Sequence, residues 1–125
     1  MRFALWPDQT EEDMHDWLRR EASCVLVAER DGAALCGFIE VGERVFADGC
    51  STSPVGYVEG WWVDPDVRRT GLGRALMGAA EAWCRARGYR ELASDAETAN
   101  EASQRAHEAC GFGEAARIVV MKKNL

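Results

Sequence analysis

Apolar and polar residues recur along the chain with periods that predict three helices and five strands. A period near 3.6 residues indicates an amphipathic helix, and a short run rich in β-branched and aromatic residues indicates a strand. The predicted order is helix, two strands, a third strand, helix, strand, helix and a final strand. The predicted helices cover 8–21, 71–87 and 97–110, and the predicted strands cover 24–29, 34–41, 55–64, 90–95 and 116–123.

The clearest helical period lies in the second half of the chain, before Gly88. Its apolar positions are Leu72, Ala75, Leu76, Ala79, Ala80 and Trp83. Between the first two strands, the pair Asp31-Gly32 is typical of an antiparallel hairpin. Because the 71–87 helix lies between two strands, it predicts a parallel crossover. We therefore expect one α/β domain over 1–125.

Length, charge and cysteine usage narrow the class of protein. The chain has 125 residues and a net charge of -6, which argues against a nucleic-acid surface and is compatible with a cationic partner. It has no apolar run near the roughly 20 residues that span a bilayer, and its first residues do not resemble a signal peptide. We therefore expect a cytoplasmic protein. The five cysteines have no C-x-x-C spacing, so neither a metal site nor a disulfide framework is predicted.

The segment "RRTGLGRAL" (68–76) places two glycines where a strand ends and a helix begins. The first amides of a helix lack internal partners and face a positive dipole, so they bind anions, phosphates especially. A P-loop would need a Lys-Ser or Lys-Thr pair, and a dinucleotide fingerprint would need a third glycine on the first strand of its unit. Both fit poorly. A tight turn with solvated arginines remains the alternative.

The pattern R-x-x-G-x-G after a strand that ends in V-D-P resembles the acetyl-CoA pyrophosphate loop of the GCN5-related N-acetyltransferases (GNAT). The segments "VEGWWVDPDVRRTGLGRALMGAAEAW", "ELASDAETANEASQRAHEACGFGEAARIVVMKK" and "FADGCSTSPVGYVEG" resemble the aminoglycoside 6'-N-acetyltransferases of that superfamily. The resemblance implies a mixed central sheet with helices on both faces. Relative to the family, the chain is expected to lack the first strand and most of the first helix, which would leave the sheet edge open or paired with a second subunit.

The resemblance implies that acetyl-CoA is held by residues around the loop and along two neighbouring elements. Backbone groups of Trp62 and Val63 would bind pantetheine, with the Val63 N–H as a candidate oxyanion donor. The remaining expected cofactor contacts are Arg68, Arg69, Thr70, Gly71, Leu72, Gly73, Arg74, Asn100 and Ser103. A metal ion is not implied.

The resemblance also implies the catalytic roles. Glu59 is the candidate general base, and strand alternation predicts that it shares a face with Trp61 and Val63. His107 stands where many relatives carry a tyrosine that acts as general acid toward the CoA thiolate. A salt-bridged strand residue is the alternative for Glu59, and a polar helix residue near CoA is the alternative for His107.

The aminoglycoside is expected to contact Trp6, Phe46, Glu59 and Asp95. Asp95 is the candidate carboxylate beside the reacting amine, and its alternative role is the N-cap of the 97–110 helix. Three further acids could add negative charge to the cleft: Asp48, Glu97 and Glu114. An acidic lining suits a substrate with several ammonium groups.

The sequence therefore predicts an acetyl-CoA-dependent aminoglycoside 6'-N-acetyltransferase that works by direct attack in a ternary complex, and the resemblance suggests a homodimer. Two alternatives stay open. One is a GNAT enzyme for another small amine, such as a polyamine. The other is a shortened, non-catalytic acyl-CoA-binding module.

Overall fold

The computed structural model describes residues 2–5, 23–30, 32 and 34–125, and these form a five-stranded mixed sheet with two helices. The elements are β1 (Arg2–Leu5), β2 (Ser23–Glu29), β3 (Leu35–Arg44), β4 (Val55–Val63), α1 (Leu72–Ala86), β5 (Leu92–Ala93) and α2 (Glu101–Ala109). A short 3-10 turn, Pro65–Val67, lies between β4 and α1. The predicted 8–21 helix lies outside the described residues.

The strands lie in sequence order, and the three pairs β1–β2, β2–β3 and β3–β4 are antiparallel. β5 runs parallel to β4, which confirms the predicted crossover through the helix between them. No strand was predicted before Pro7, yet β1 pairs with β2 over four residues. This edge of β2 is therefore paired, whereas an open edge was one of the expectations.

The core forms where one face of α1 packs on β2, β3 and β4. Leu76, Met77 and Ala80 are fully buried against Ile39 and Val41. The apolar period predicted Leu76 and Ala80 but not Met77, and the predicted Ala75 is exposed. Burying such aliphatic side chains is the main stabilising contribution of the fold.

Three of the five cysteines are small side chains of the core. All five are free thiols; Cys24, Cys36 and Cys84 are buried. Burial raises the pKa of Cys24 to about 12 and that of Cys84 to about 11. Neither thiol is therefore a reactive thiolate at neutral pH.

A β-bulge in β4 interrupts the alternation of side chains that the sequence predicts for this strand. Glu40 pairs with Gly60 and Val41 pairs with Val58, so Glu59 has no partner in β3. An extra residue reverses which side chains face the core. Trp61 faces α1, where its Nε1 donates to the carbonyl of Gly73 at 3.2 Å. Glu59 lies on the opposite face, so the prediction that it shares a face with Trp61 and Val63 is wrong.

Two predicted elements are shorter in the structure. β5 covers only Leu92–Ala93 of the predicted 90–95, because its pairing with β4 ends there. α2 begins at Glu101 rather than at 97, because the side chain of Asn100 accepts from the Ser103 N–H at 3.0 Å and caps the helix.

The predicted final strand over 116–123 is wrong for the isolated chain. Residues 112–125 follow α2 without helix or strand, and the apolar side chains of Ile118, Val119, Val120 and Met121 are exposed. A strand forms only where a neighbouring strand satisfies its N–H and C=O groups. This segment has a strand-like sequence but no pairing within the described chain.

Candidate active site

Glu59 projects from the bulge into a bidentate ion pair with Arg44, the last residue of β3. The two carboxylate oxygens accept from Nε at 2.9 Å and from Nη2 at 2.8 Å. The hydrogen bonds with Glu59 raise the pKa of Arg44. The Glu59 side chain is 35% exposed, so incoming molecules can reach the carboxylate. The carboxylate is thus accessible but already paired with a cation.

Tyr57 links this pair to Asp95. The guanidinium of Arg44 lies over the Tyr57 ring, 3.6 Å from its centre, and the Tyr57 hydroxyl donates to Asp95 Oδ2 at 2.5 Å. Burial, followed by the hydrogen bond and charge of Asp95, raises the pKa of Tyr57 to about 12. Tyr57 therefore stays a donor at neutral pH, and two carboxylates, one guanidinium and one phenol form a single network.

Asp95 does not cap α2. The cap is Asn100, five residues farther along the chain, so the alternative structural role predicted for Asp95 is wrong. The hydrogen bond with Tyr57 instead turns its carboxylate toward the network around Glu59. The two predicted substrate carboxylates therefore lie in one connected group.

His107 lies on α2, and both of its ring nitrogens are hydrogen-bonded. Nδ1 lies 2.7 Å from the carbonyl oxygen of Ser103, and Nε2 lies 2.8 Å from Oγ of Ser94. The ring packs edge-on against Trp61 and Phe112, with centres 5.1 and 5.3 Å apart. His107 is thus fixed in position and half-buried.

β4 and β5 separate beside this histidine. Their pairing ends at Tyr57 and Ala93, whereas β4 continues to Val63. The Val63 carbonyl accepts from Arg68 Nε at 2.9 Å. The half-exposed Trp62 ring lies under the Arg68 guanidinium, at 4.8 Å. Beyond Tyr57, this edge of β4 is not paired with β5.

The glycine-rich loop gives α1 a left-handed N-cap. Gly71 has φ of 87° and Arg69 has φ of 65°. The Ala75 N–H donates to the Gly71 carbonyl, so the amides of Leu72, Gly73 and Arg74 precede the first α-helical bond. These free amides and the helix dipole form an anion-binding end.

Glycine stands at positions 71 and 73 of the loop for different reasons. Gly71 needs its positive φ, which residues with a Cβ rarely adopt. A Cβ on Gly73 would meet Trp61 Cζ2 at 3.4 Å, an ordinary contact, so protein packing does not require glycine there. This leaves close approach of a ligand as an explanation for Gly73.

The remaining predicted site residues make other contacts or are exposed. Arg74 uses one guanidinium nitrogen on the carbonyl of Ala109, at the C-terminus of α2, at 2.6 Å. Thr70 donates to the carbonyl of Val67 at 2.6 Å. Phe46 is 71% exposed in the loop after β3, and Trp6 lies outside the described residues. The acids Asp48, Glu97 and Glu114 are exposed.

Sequence reasoning missed three members of the site: Arg44, Tyr57 and Ser94. Arg44 is fifteen residues from Glu59, and only the β3–β4 register brings them together. Tyr57 and Ser94 stood next to predicted residues, two before Glu59 and one before Asp95. That proximity was the one sequence feature that could have identified them.

Within the described residues, no helix is both long and apolar enough to cross a membrane. In the same part of the chain, no group of three or more His, Cys, Asp and Glu side chains could hold a metal ion.

Comparison with known proteins identifies similar sequences and structures. Residues 1–112 match the acetyltransferase (GNAT) family. The chain is 41% identical to the aminoglycoside N(6')-acetyltransferase type 1 of Klebsiella aerogenes, and the alignment covers 100% of this chain and 87% of that protein.

Solved structures of aminoglycoside 6'-N-acetyltransferases are also similar to this chain. The 6'-N-acetyltransferase AAC(6')-IG of Acinetobacter haemolyticus superposes with a TM-score of 0.80 at 33% identity, covering 97% of this chain and 86% of that one. AAC(6')-Iy, in complex with the bisubstrate analogue CoA-S-monomethyl-acetylneamine, gives a TM-score of 0.81 at 32% identity, covering 97% and 85%.

Proposed function

Since the chain belongs to the GNAT acetyltransferase family, we propose that it is an aminoglycoside 6'-N-acetyltransferase that uses acetyl-CoA and confers antibiotic resistance. Relatives that are 33–41% identical to the chain are named aminoglycoside N(6')-acetyltransferases. The observation that carries the proposal is the network in which Arg44 and Tyr57 join Glu59 to Asp95. Two carboxylates on one face suit a polycationic amine.

In the proposed reaction the amine attacks the thioester directly in a ternary complex. Glu59 accepts a proton from the ammonium through water, and Asp95 holds the amine in place. The freed amine then adds to the acetyl carbonyl, whose developing negative charge the Val63 N–H stabilises. The thiolate leaves and is protonated, with His107 as the source of the proton.

The ion pair with Arg44 sets a condition on this step. The guanidinium of Arg44 occupies both carboxylate oxygens, so the substrate must displace it before either oxygen is free to accept. The substrate ammonium has the same charge as Arg44 and competes for the same oxygens. We infer that the cation of the substrate displaces Arg44 from Glu59.

Acetyl-CoA is expected to bind along the edge of β4 and at the N-terminus of α1. Backbone groups of Trp62 and Val63 contact pantetheine, and the amides of residues 69–73 bind the pyrophosphate with Arg68, Arg69 and Arg74 nearby. Asn100, the N-cap of α2, and Ser103, in its first turn, are the proposed contacts there. The free amides of α1 and the positive φ of Gly71 support this arrangement.

The deciding assay is release of free CoA from acetyl-CoA by the purified chain. Kanamycin and tobramycin serve as acceptors, and spermidine is the control amine. Turnover with the aminoglycosides alone would support the proposed function. Turnover with spermidine would favour an enzyme for another small amine, and saturable CoA binding without turnover would favour a non-catalytic module.

We also propose that the protein is a cytoplasmic homodimer. The five free thiols are consistent with a reducing compartment. The exposed run Ile118–Met121 has a strand-like sequence that pairs with no strand among the described residues, and a second copy offers a sheet edge with which to pair.

Light scattering tests the dimer. The native chain should have twice the mass of one copy, and Val119→Asp should yield monomers because a charge enters the apolar run. Asn124→Asp adds the same charge beside that run and should leave the dimer intact. A monomeric native chain would contradict the proposal.

A further inference from the structure

The hydrogen bonds of His107 determine where its protons lie. A carbonyl oxygen only accepts, so Nδ1, which lies 2.7 Å from the Ser103 carbonyl, must carry a hydrogen. Proton exchange with any other group is therefore left to Nε2. That nitrogen is 2.8 Å from Ser94 Oγ. Any proton that leaves His107 from Nε2 reaches the Ser94 oxygen first.

Ser94 lies at the point where the sheet opens. It directly follows Ala93, the last residue of β5 that pairs with β4. Beyond this point β4 continues to Val63 without β5, and the edge so exposed is the expected pantetheine site. Ser94 is half-buried, and its hydroxyl ends the hydrogen-bonded chain Ser103–His107–Ser94.

We propose that the hydroxyl of Ser94 delivers the proton to the CoA thiolate, with His107 supplying it from behind. This inference rests on the proposed function and adds a catalytic residue to it. As the carbonyl carbon–sulfur bond breaks, its electron pair goes to sulfur. The O–H proton of Ser94 moves to sulfur, and the Nε2 proton of the His107 imidazolium moves to the Ser94 oxygen. His107 ends neutral and keeps its Nδ1 proton.

The hydroxyl suits this role because it both donates and accepts hydrogen bonds, so its proton can leave as another arrives. The two ring contacts of His107, with Trp61 and Phe112, keep Nε2 directed at Ser94. His107 therefore acts through Ser94 and is a positioning residue in this step, and Ser94 touches the sulfur.

The test compares Ser94→Ala with Ser94→Thr, which keeps the hydroxyl, and with Ser51→Ala as a matched control at an exposed serine. Single-turnover acetyl transfer to tobramycin should fall by about a hundredfold or more in Ser94→Ala, the range for loss of a general acid. Ser94→Thr should recover most of the rate, and Ser51→Ala should match the native chain. The CoA dissociation constant should stay unchanged in all three, and thermal unfolding should shift only slightly in Ser94→Ala, because one hydrogen bond is lost.

Two further measurements separate a relay from a merely structural hydrogen bond. In mixtures of light and heavy water, the native rate should depend non-linearly on deuterium content because two protons move together. The double variant Ser94→Ala/His107→Ala should be no slower than the slower single variant, since residues of one relay act as a unit.

Three results would overturn the inference alone. Native rates in Ser94→Ala would do so, as would strictly additive losses in the double variant or a linear deuterium dependence of the native chain. A native chain that transfers nothing would overturn the proposed function itself, and the inference with it. A native chain that transfers while Ser94→Ala transfers equally well would overturn only the role of Ser94.

Discussion

Arg44 holds both carboxylate oxygens of Glu59, at 2.9 and 2.8 Å, and at the same time covers the ring of Tyr57 at 3.6 Å. The pair joins the end of β3 to the bulge of β4, and nothing in the local sequence of either residue indicates it. As a consequence of this ion pair, the proposed base Glu59 is already paired with a cation before any substrate binds.

Replacing Arg44 by glutamine should strengthen substrate binding. The variant removes the cation that competes with the substrate ammonium, so KM for tobramycin should fall by up to about fivefold, since an exposed ion pair contributes up to about 1 kcal/mol. Arg85→Gln is the matched control, because Arg85 pairs with Glu81 on the outer face of α1 and is 75% exposed. Equal KM values in both variants, or a loss confined to kcat in Arg44→Gln, would show that Arg44 instead positions Glu59.

Glu59→Gln should lower turnover by about 10²- to 10⁴-fold, the contribution of a general base. Glutamine keeps the shape and one hydrogen bond to Arg44 but cannot take a proton. CoA binding should be intact, as measured by titration calorimetry. Native turnover in this variant would remove Glu59 from the mechanism and leave its ion pair as its only role.

Gly71→Asp should weaken CoA binding by about tenfold or more, because a carboxylate would stand at the anion-binding end of α1. Gly71→Asn imposes the same strain at φ of 87° without the charge, so the difference between the two variants measures electrostatics. Gly78→Asp places the same charge on the exposed side of the same helix and should bind CoA normally. If all three variants bind CoA equally well, the loop does not hold a phosphate.

The ionisation of Tyr57 provides a pH test. Its pKa of about 12 lies above the ordinary value of 10.0, so the folded state favours the protonated phenol. The corresponding stability is fully present below about pH 10 and is lost as the pH rises toward 12. Asp95→Asn removes a hydrogen-bonded charge and should let Tyr57 ionise at lower pH. Ultraviolet absorbance of tyrosinate follows this change, and Tyr57→Phe identifies which of the two tyrosines responds.

Gly56→Ala should destabilise the fold by about 1–3 kcal/mol, the range for overpacking. A Cβ there would lie 2.5 Å from Cys84 Sγ and 3.1 Å from Leu92 Cδ1, so these side chains, or β4 and α1 themselves, must shift. Gly78→Ala has open space on α1 and should stabilise by up to about 1 kcal/mol. Denaturant unfolding of the two variants compares them directly, and adding Cys84→Ala to Gly56→Ala should recover part of the loss.

By itself, the sequence determined the elements whose pattern is local. The hairpin of β2 and β3, the helical period of α1 and the crossover to β5 follow from spacing, turn residues and burial of one face, and the structure confirms them. The resemblance of the motifs also identified the family and its expected chemistry. The predictions for Glu59, His107 and the glycine loop needed no coordinates, because each stands within a recognisable motif.

Tertiary structure alone decided which side chains meet and which segments pair. The bulge at Glu59 reversed the face predicted for that residue, because alternation is a local rule and a bulge is specified by pairing with β3. The same pairing brought Arg44 to Glu59, and the packing of α2 brought Ser94 to His107. The segment 116–123 has the composition of a strand, yet a strand is completed by hydrogen bonds to a neighbour, which no local pattern supplies.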